Sequence, residues 1–345
     1  MSAQDTGKKA INRAGKILVS DSATPEEKEA ATKTVGVWRS LHVLPMGVIA
    51  TDLRRKCSRV DSRAFVAERL KRMESIIAKL GRKETGELPG MSLWNMQDIG
   101  GCRAVLPSLN TVRMIESMYS DGPYFPIRKK DYITEPRDSG YRGVHLILKY
   151  AGAKPSEFDG MQIEVQLRSR HQHVFATAVE TVGYFTKQSL KSSVGETRWL
   201  RFFSLMGSLA ACKEGTPLVP GTPDNPYDVL MELRPLAVEV QRDLSAFMTT
   251  VHQSEAFRHQ VNSDFYLLLL HPNRPSSWGL QGFSRKDLDK AMNNYADAEA
   301  QGFNAVLVST DSLESLWKAY PNYFLDLRAF VGGVQAVIDA KVPTK

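Results

Sequence analysis

Between Gln97 and Arg168 lie three apolar runs of strand length, Cys102–Leu106, Val144–Tyr150 and Met161–Leu167, separated by turns and charged clusters. A chain with this pattern folds around a sheet. Asp98 stands just before the first run and Glu164 sits inside the third, which brings both carboxylates to one edge of a single sheet. Basic residues crowd the same stretch, among them Arg103, Lys130, Arg142 and Arg168. Converging carboxylates among cations suit one divalent ion, magnesium, working on a polyphosphate: the carboxylates hold the metal while the cations hold the phosphates. The residues alone point to phosphoryl-type transfer.

Upstream, Ile11–Leu18 is a short amphipathic segment, and Pro25-Glu26-Glu27 opens a helix that runs past Trp38 to the region of His42–Pro45. Trp38, Arg39 and His42 read as core packing, with a cap over a nucleotide pocket as the alternative. A further helix covers Met46–Lys56. Asp61–Leu80 then reads as one long helix, with Leu70, Met73, Ile76, Ile77 and Leu80 facing the sheet. Lys71, Ser75 and Lys79 fall at four-residue steps on its other side. Two lysines around a serine, with no acid between them, repel one another unless an anion such as a triphosphate lies along the stripe. Arg69 is off that stripe.

Ser108–Tyr119 is predicted helical, and Tyr124–Ile133 is predicted as a strand leading into a basic, aromatic loop with Arg128, Lys130, Tyr132, Arg137, Tyr141 and Arg142. An exposed tyrosine among cations can stack on a base whose phosphates they hold. Ser169 begins a helix on which His171 and His173, two apart, point to different sides and do not share a metal. Lys191–Cys212 is another helix. Gly215–Pro226, broken by four prolines, marks a boundary. Beyond it come a helix (Tyr227–His252), a strand (Phe265–His271), a helix (Arg285–Gln301), a strand (Ala305–Ser309) and a helix (Asp311–Tyr320). The organisation expected is an N-terminal helical region (1–60), a core (61–214), a linker (215–226) and a small C-terminal α/β regulatory appendix (227–345). No apolar run is long enough for a membrane span. Three scattered cysteines fit a reduced, cytoplasmic setting, and a net charge of +7 favours polyanionic partners.

The same residues resemble the synthetase domain of the RelA/SpoT family, ATP-dependent pyrophosphokinases that make alarmone nucleotides. Asp98, Gly101 and Arg103 match the family's metal-aspartate pattern. Asp131, Tyr132, Gly140, Tyr141, Arg142 and His145 match its acceptor loop, Glu164–Arg168 its Glu-Val-Gln strand, and Arg69, Lys71, Ser75 and Lys79 its ATP-binding helix. The resemblance implies an α+β fold, a mixed β-sheet nucleotidyltransferase-like synthetase core flanked by helices. It implies Mg2+ on Asp98 and Glu164, ATP phosphates on Arg69, Lys71, Ser75 and Lys79, and Arg103 near the reacting group. It places the acceptor on Lys130, Tyr132, Tyr141, Arg142 and His145, with Glu164 also taking the proton from an attacking 3′-hydroxyl.

None of the seven histidines precedes an aspartate, as the hydrolase signature of bifunctional members requires, so synthesis without hydrolysis is expected. The chain resembles the small alarmone synthetases with an added C-terminal region. Some relatives of that kind are toxins that pyrophosphorylate the 3′ end of tRNA and carry a fused antitoxin responding to phage proteins. Tyr320 and Tyr323 resemble the tyrosine pair with which such an element covers the ATP site. They read equally well as packing residues at a helix end. The leading expectation is a tRNA-modifying toxin with a phage protein as trigger, and the alternative is an alarmone synthetase acting on GDP or GTP. The rivals outside this chemistry are a catalytically inactive nucleotide or RNA sensor and a template-independent nucleotidyltransferase.

Overall fold

The computed structural model describes residues 7–81, 91–120, 124, 126–152, 154–249, 263–271, 274–309, 316–318 and 327–340. Three helices come first: α1 (Lys8–Leu18), α2 (Pro25–Leu41) and α3 (Val43–Val60). Thr24 starts α2 with a reciprocal capping box to Glu27, and Pro25 fills the first turn, where no N–H is missed. Then follow β1 (Phe65–Leu70), α4 (Met73–Leu80), β2 (Gly100–Leu106), α5 (Leu109–Ser117), β3 (Pro126–Asp131), β4 (Val144–Lys149), β5 (Gln162–Ser169) and α6 (Arg170–Thr186). The chain continues with α7 (Thr197–Glu214), α8 (Pro226–Thr249), β6 (Phe265–His271), β7 (Arg274–Phe283), α9 (Leu288–Ala300), β8 (Asn304–Ser309) and α10 (Arg328–Asp339).

All eight of these strands join one sheet in the order β3-β4-β5-β2-β1-β8-β6-β7. Only the β2–β5 pair is parallel. The fold is thus the mixed α+β arrangement expected. Alternation along the strands decides which side chains meet. Cys102 and Ala104 of β2, Leu146 and Leu148 of β4, and Ile163, Val165 and Leu167 of β5 point to one face. There they pack with Ile49, Leu53 and Cys57 of α3 and Val112 and Ile115 of α5. The other face carries Arg69, Arg103, His145, Glu164, Gln166 and Arg168, and it is the floor of the site. A second core joins α6, α7, α8 and α10 around Trp199, Phe202, Phe203, Leu233 and Phe330.

The structure departs from the sequence expectation in four places. Asp61–Leu80 is not one helix: β1 occupies its first half, and α4 begins only at Met73. The helical period from Leu70 to Leu80 is genuine for α4. Phe65–Leu70 is a central strand, paired with β2 on one side and β8 on the other, and its tertiary ladder overrides local preference. Arg69 and Lys71 therefore do not share a helix with Ser75 and Lys79. Second, Leu190–Ser192 forms a single tight turn, Ser193 is left-handed (φ 56°), and α7 starts at Thr197 rather than Lys191. Third, the segment read as a linker lies against α7: Val219 is buried, and its N–H donates to Ser208 Oγ at 2.9 Å. Fourth, the C-terminal strands continue the core sheet edge to edge, because Glu68 and Arg69 of β1 pair with Ser309 and Val308 of β8. The strand β7 and the helix α10 had no clear sequence signal; Pro275, Gly279 and Gly282 interrupt β7, which is tolerable on an edge strand. Most of the helix expected over Asp311–Tyr320, with Tyr320 and Tyr323, falls outside the described residues.

Candidate active site

A cleft of about 2100 Å³ opens over the polar face of the sheet. Drug-sized ligand pockets are roughly 300–1,000 Å³, so this one has room for more than a single nucleotide. Arg69, Lys71, Ser75, Lys79 and Asp98 line one side of it, and Lys130, Tyr132, Tyr141, His145 and Glu164 line the other.

Lys71 and Lys79 reach the same carboxylate although one precedes α4 and the other ends it. Lys71 Nζ lies 2.8 Å from Asp98 Oδ2, and Lys79 Nζ lies 2.9 Å from Oδ1. The backbone N–H of Lys71 also donates to the carbonyl of Ile99 at 2.8 Å, tying the lysine segment to the Asp98 turn. Burial works against the Asp98 charge. The two lysines outweigh it and hold the carboxyl below its usual range, while the nearby Glu164 charge pushes the other way. Burial likewise draws the Lys71 ammonium below its ordinary value, with Asp98 opposing and Lys79 and Arg69 adding to the effect.

On β5, Glu164 accepts from His145 Nδ1 at 2.9 Å and from the Gln166 amide at 2.7 Å. Burial opposes its ionisation, but the His145 charge and these hydrogen bonds hold the carboxyl far below the carboxylate range. His145 Nε2 stands 2.6 Å from the Tyr141 hydroxyl oxygen. That oxygen also accepts from Arg168 Nε at 3.1 Å and Nη2 at 2.9 Å. Burial disfavours the imidazolium; Tyr141 and Glu164 more than offset it and raise His145 above its ordinary value. Arg168, Tyr141, His145 and Glu164 thus form one connected chain across β5 and β4. Tyr132 meets His145 and Tyr141 edge-on, at 5.1 and 5.8 Å between ring centroids, and the Arg137 guanidinium lies 4.5 Å above the Tyr132 ring. Gly140, at φ +77°, lets this loop pass α7: a Cβ there would stand 2.7 Å from the carbonyl oxygen of Phe203.

Two expected site residues do not line the cleft. Arg142 is buried against α7 and the following segment, donating to the carbonyl oxygens of Gly207 and, at 2.7 Å, Pro217. Its side chain emerges on the far side of the Gly-Tyr-Arg turn from Tyr141, so it braces the loop instead of facing an acceptor. Arg103 lies on the correct sheet face but is covered by α6, and its charge acts on Glu180 and His173. Tyr141 is only 5% exposed, and its hydroxyl is already engaged. Asp131 pairs with Arg113 at 2.7 Å and accepts the N–H of Ile133, which makes it a turn residue.

Further polar side chains gather around the cleft. Gln166 and Arg168, part of the Glu164–Arg168 motif, follow Glu164 at steps of two on the same sheet face; Gln166 lines the cleft, and Arg168 is buried behind Tyr141. Glu180 of α6 pairs with Lys191 at 2.8 Å, bringing the turn after α6 to the cleft. Burial opposes its charge, but Lys191, Arg103 and Arg69 hold it well below the usual range. That pairing depended on a turn where a helix was expected.

Asp98 and Glu164 fit a hard divalent ion: both line the cleft, and the Glu164 charge acts on the Asp98 carboxyl. Among the described residues no three His, Cys, Asp or Glu side chains gather into one cation site. The protein therefore offers two carboxylates, and water and phosphate oxygens would complete the shell.

A model of the "region found in RelA / SpoT proteins" matches residues 68–189. The chain is 29% identical over 121 residues to the GTP pyrophosphokinase YjbM of Bacillus subtilis, covering 35% of this chain and 56% of that one. It is 26% identical over 117 residues to YwaC, a GTP pyrophosphokinase of the same organism, covering 34% and 56%. The chain thus spans little more than half the length of the curated relatives it matches. Among solved structures, small alarmone synthetase 1 of B. subtilis bound to its product pppGpp aligns with a TM-score of 0.44 at 21% identity, covering 52% of this chain and 93% of that one. No described helix is long and apolar enough to cross a membrane. Residues 68–189, which hold Asp98, Glu164 and the lysine segment, therefore match the region found in RelA / SpoT proteins and are similar to the GTP pyrophosphokinases YjbM and YwaC.

Proposed function

We propose that the chain transfers the β,γ-pyrophosphoryl group of ATP to the 3′-hydroxyl of GDP or GTP, with Mg2+ as the ion. The observation that carries this reading is the meeting of Asp98, Glu164, Lys71 and Lys79 in one cleft. A bond forms between the 3′-oxygen and the β-phosphorus, the bond from that phosphorus to the α,β-bridging oxygen breaks, and AMP leaves with the bridging oxygen. When bound, the ion draws charge from the phosphoryl group. Lys71 and Lys79, with Ser75 and Arg69, hold the triphosphate. Glu164, kept ionised by His145 and Gln166, accepts the hydrogen bond of the attacking hydroxyl, orients it and takes its proton as the 3′-oxygen bonds to phosphorus. Tyr132 and Lys130, which face the cleft, hold the acceptor, and Tyr141 with Arg168 keeps His145 in place. Guanine nucleotides are preferred as acceptors because the similar proteins YjbM and YwaC are GTP pyrophosphokinases.

A tRNA 3′ end is the second reading, favoured by the width of the cleft and by exposed Arg128 and Lys130 on the edge strand β3. Incubation with labelled ATP and Mg2+, separately with GDP, GTP and tRNA, tests both. Label on GDP or GTP supports the first reading, and label on tRNA alone replaces it with the second. No label on any acceptor, with an Asp98→Asn control unchanged from native, removes the enzyme reading.

A further inference from the structure

The helix that ends in Lys79 is only eight residues long, and its own N-cap residue, Arg72, provides no side-chain cap. A helix this short is marginal by itself, so what fixes its first turn fixes the lysines. The fixing group comes from the other end of the chain. Glu299, near the end of α9, accepts the backbone N–H of Met73 on Oε1 at 2.8 Å. Its other oxygen accepts from Arg39 Nη1 of α2 at 2.7 Å. Arg39 is 2% exposed and lies 4.7 Å above the ring of Tyr295, one turn back on α9. Arg72 reaches the same part of the chain, donating to Asn304 Oδ1 at the start of β8. Neither Arg39 nor Glu299 lies within residues 68–189, yet both line the cleft.

We propose that Glu299, held by Arg39, is a positioning residue for the nucleotide site: its carboxylate sets the start of α4 so that Lys71, Ser75 and Lys79 meet one triphosphate. The proposal rests on the functional reading above and adds to it a residue from outside the matched region. A carboxylate capping the positive end of a helix is favourable in itself. Here it also fixes the angle at which α4 leaves β1, and a displacement of about 1 Å in a phosphate-holding group is costly. A buried arginine beneath the carboxylate makes the contact directional, because the Glu299 side chain cannot turn away without depriving Arg39 of its carboxylate counter-charge.

The test is calorimetric binding of a non-hydrolysable ATP analogue with Mg2+ to the full chain, together with kcat and KM and a thermal melt for each variant. Glu299→Ala is expected to weaken the analogue about tenfold, the loss of one hydrogen bond to the site, and to raise KM while kcat stays within about threefold. Glu299→Gln keeps an oxygen for the Met73 N–H and is expected to hold the affinity within about threefold, although its melt falls with the lost Arg39 pairing. A purely structural role would lower both melts and leave affinity unchanged, and that result overturns the proposal. So does tighter binding by Glu299→Ala, which would make the carboxylate a competitor of phosphate, or an equal loss in both variants. Should Glu299→Ala not fold, Glu299→Met, which fills the space without an acceptor, is read in its place. A native chain that takes up no analogue overturns the functional reading and this inference together; a native chain that binds while Glu299→Ala is unchanged overturns the inference alone.

Discussion

Both oxygens of Asp98 are occupied by ammonium groups, one from Lys71 and one from Lys79. A divalent ion that takes either oxygen displaces a lysine, and the displaced lysine needs an anion to turn to. A triphosphate is that anion, so ion and nucleotide should bind with positive coupling. Without nucleotide, Lys71→Ala is expected to bind Mn2+ several-fold more tightly than the native chain, and with an ATP analogue it should bind the nucleotide about tenfold less tightly. Electron paramagnetic titration of free Mn2+ reads the first quantity; equal affinities would show that the lysines do not guard the carboxylate. Two histidines away from this chemistry set the acid limit of the fold. His42 is pushed down to about 4 and His173 to about 3, each chiefly by burial, and their hydrogen bonds to the Trp38 and Lys318 carbonyls only partly offset this. An ordinary histidine titrates near 6.5, so between that value and the depressed one the unfolded chain binds protons that the native chain does not, and stability falls as pH falls. At pH 5 each histidine should cost about 2 kcal/mol relative to pH 8. Denaturant titrations of His173→Gln at pH 5 and pH 8 should show a smaller acid loss than native, and an unchanged loss would contradict the assignment.

At the level of elements, how much could be read in advance followed the kind of contact each element makes. β2, β4, β5, α5 and α6 were legible because their apolar period or their Ser108 and Ser169 caps are local. Glu164 was placed on its sheet face for the same reason, since it lies in a clean strand, whereas Lys71 was expected on one helix with Lys79 and instead reaches Asp98 from just before α4. β1 was not, because Phe65–Leu70 owes its extended state to partners on both sides, one of them some 240 positions away in β8. Glu68, within the stretch expected as helix, is 3% exposed and paired with Arg54 of α3 at 3.1 Å. Arg142 misled in the opposite way, since its motif position places the backbone of the loop but not the direction of a side chain that ends under α7. The Glu68–Arg54 pair supports a prediction. Arg54→Ala leaves a buried carboxylate without that counter-charge and should destabilise the chain by about 3–5 kcal/mol, whereas an Arg54→Met/Glu68→Leu double variant should recover most of the loss. Chemical denaturation of the three proteins measures it, and a double variant as weak as the single would mean the pair is not what binds α3 to β1.

Across the whole molecule, the described residues after 226 are part of the same folded body as the site and do not simply hang from it. α8 and α10 supply Leu233, Val240, Phe330 and Val334 to the core that also buries Phe175 and Val179 of α6. β8 covers the outer edge of β1, and Tyr266, Leu268, Val306 and Val308 close over Ala67. Removing residues 227–345 would bare a central strand edge and an apolar helix face together, two features that promote self-association. The truncated chain is therefore expected to elute as aggregate, or to melt well below the native chain, and to lose activity for want of a fold rather than for want of a regulator. Size-exclusion chromatography and a thermal melt of residues 1–226 against the full chain decide this. A monodisperse truncated protein with the native melting temperature would mean that the β1–β8 ladder contributes little, and that the C-terminal part acts on the site only through contacts such as that of Glu299 with Met73. The ligand gives an independent check on the same unity: an ATP analogue at about a hundred times its Kd should stabilise the full chain by roughly 2.7 kcal/mol. Because β1 links the lysine segment to β8, that stabilisation should appear as slower amide exchange in β8 and β6 as well as in α4. Protection confined to α4 would separate the two halves energetically even though they share one sheet.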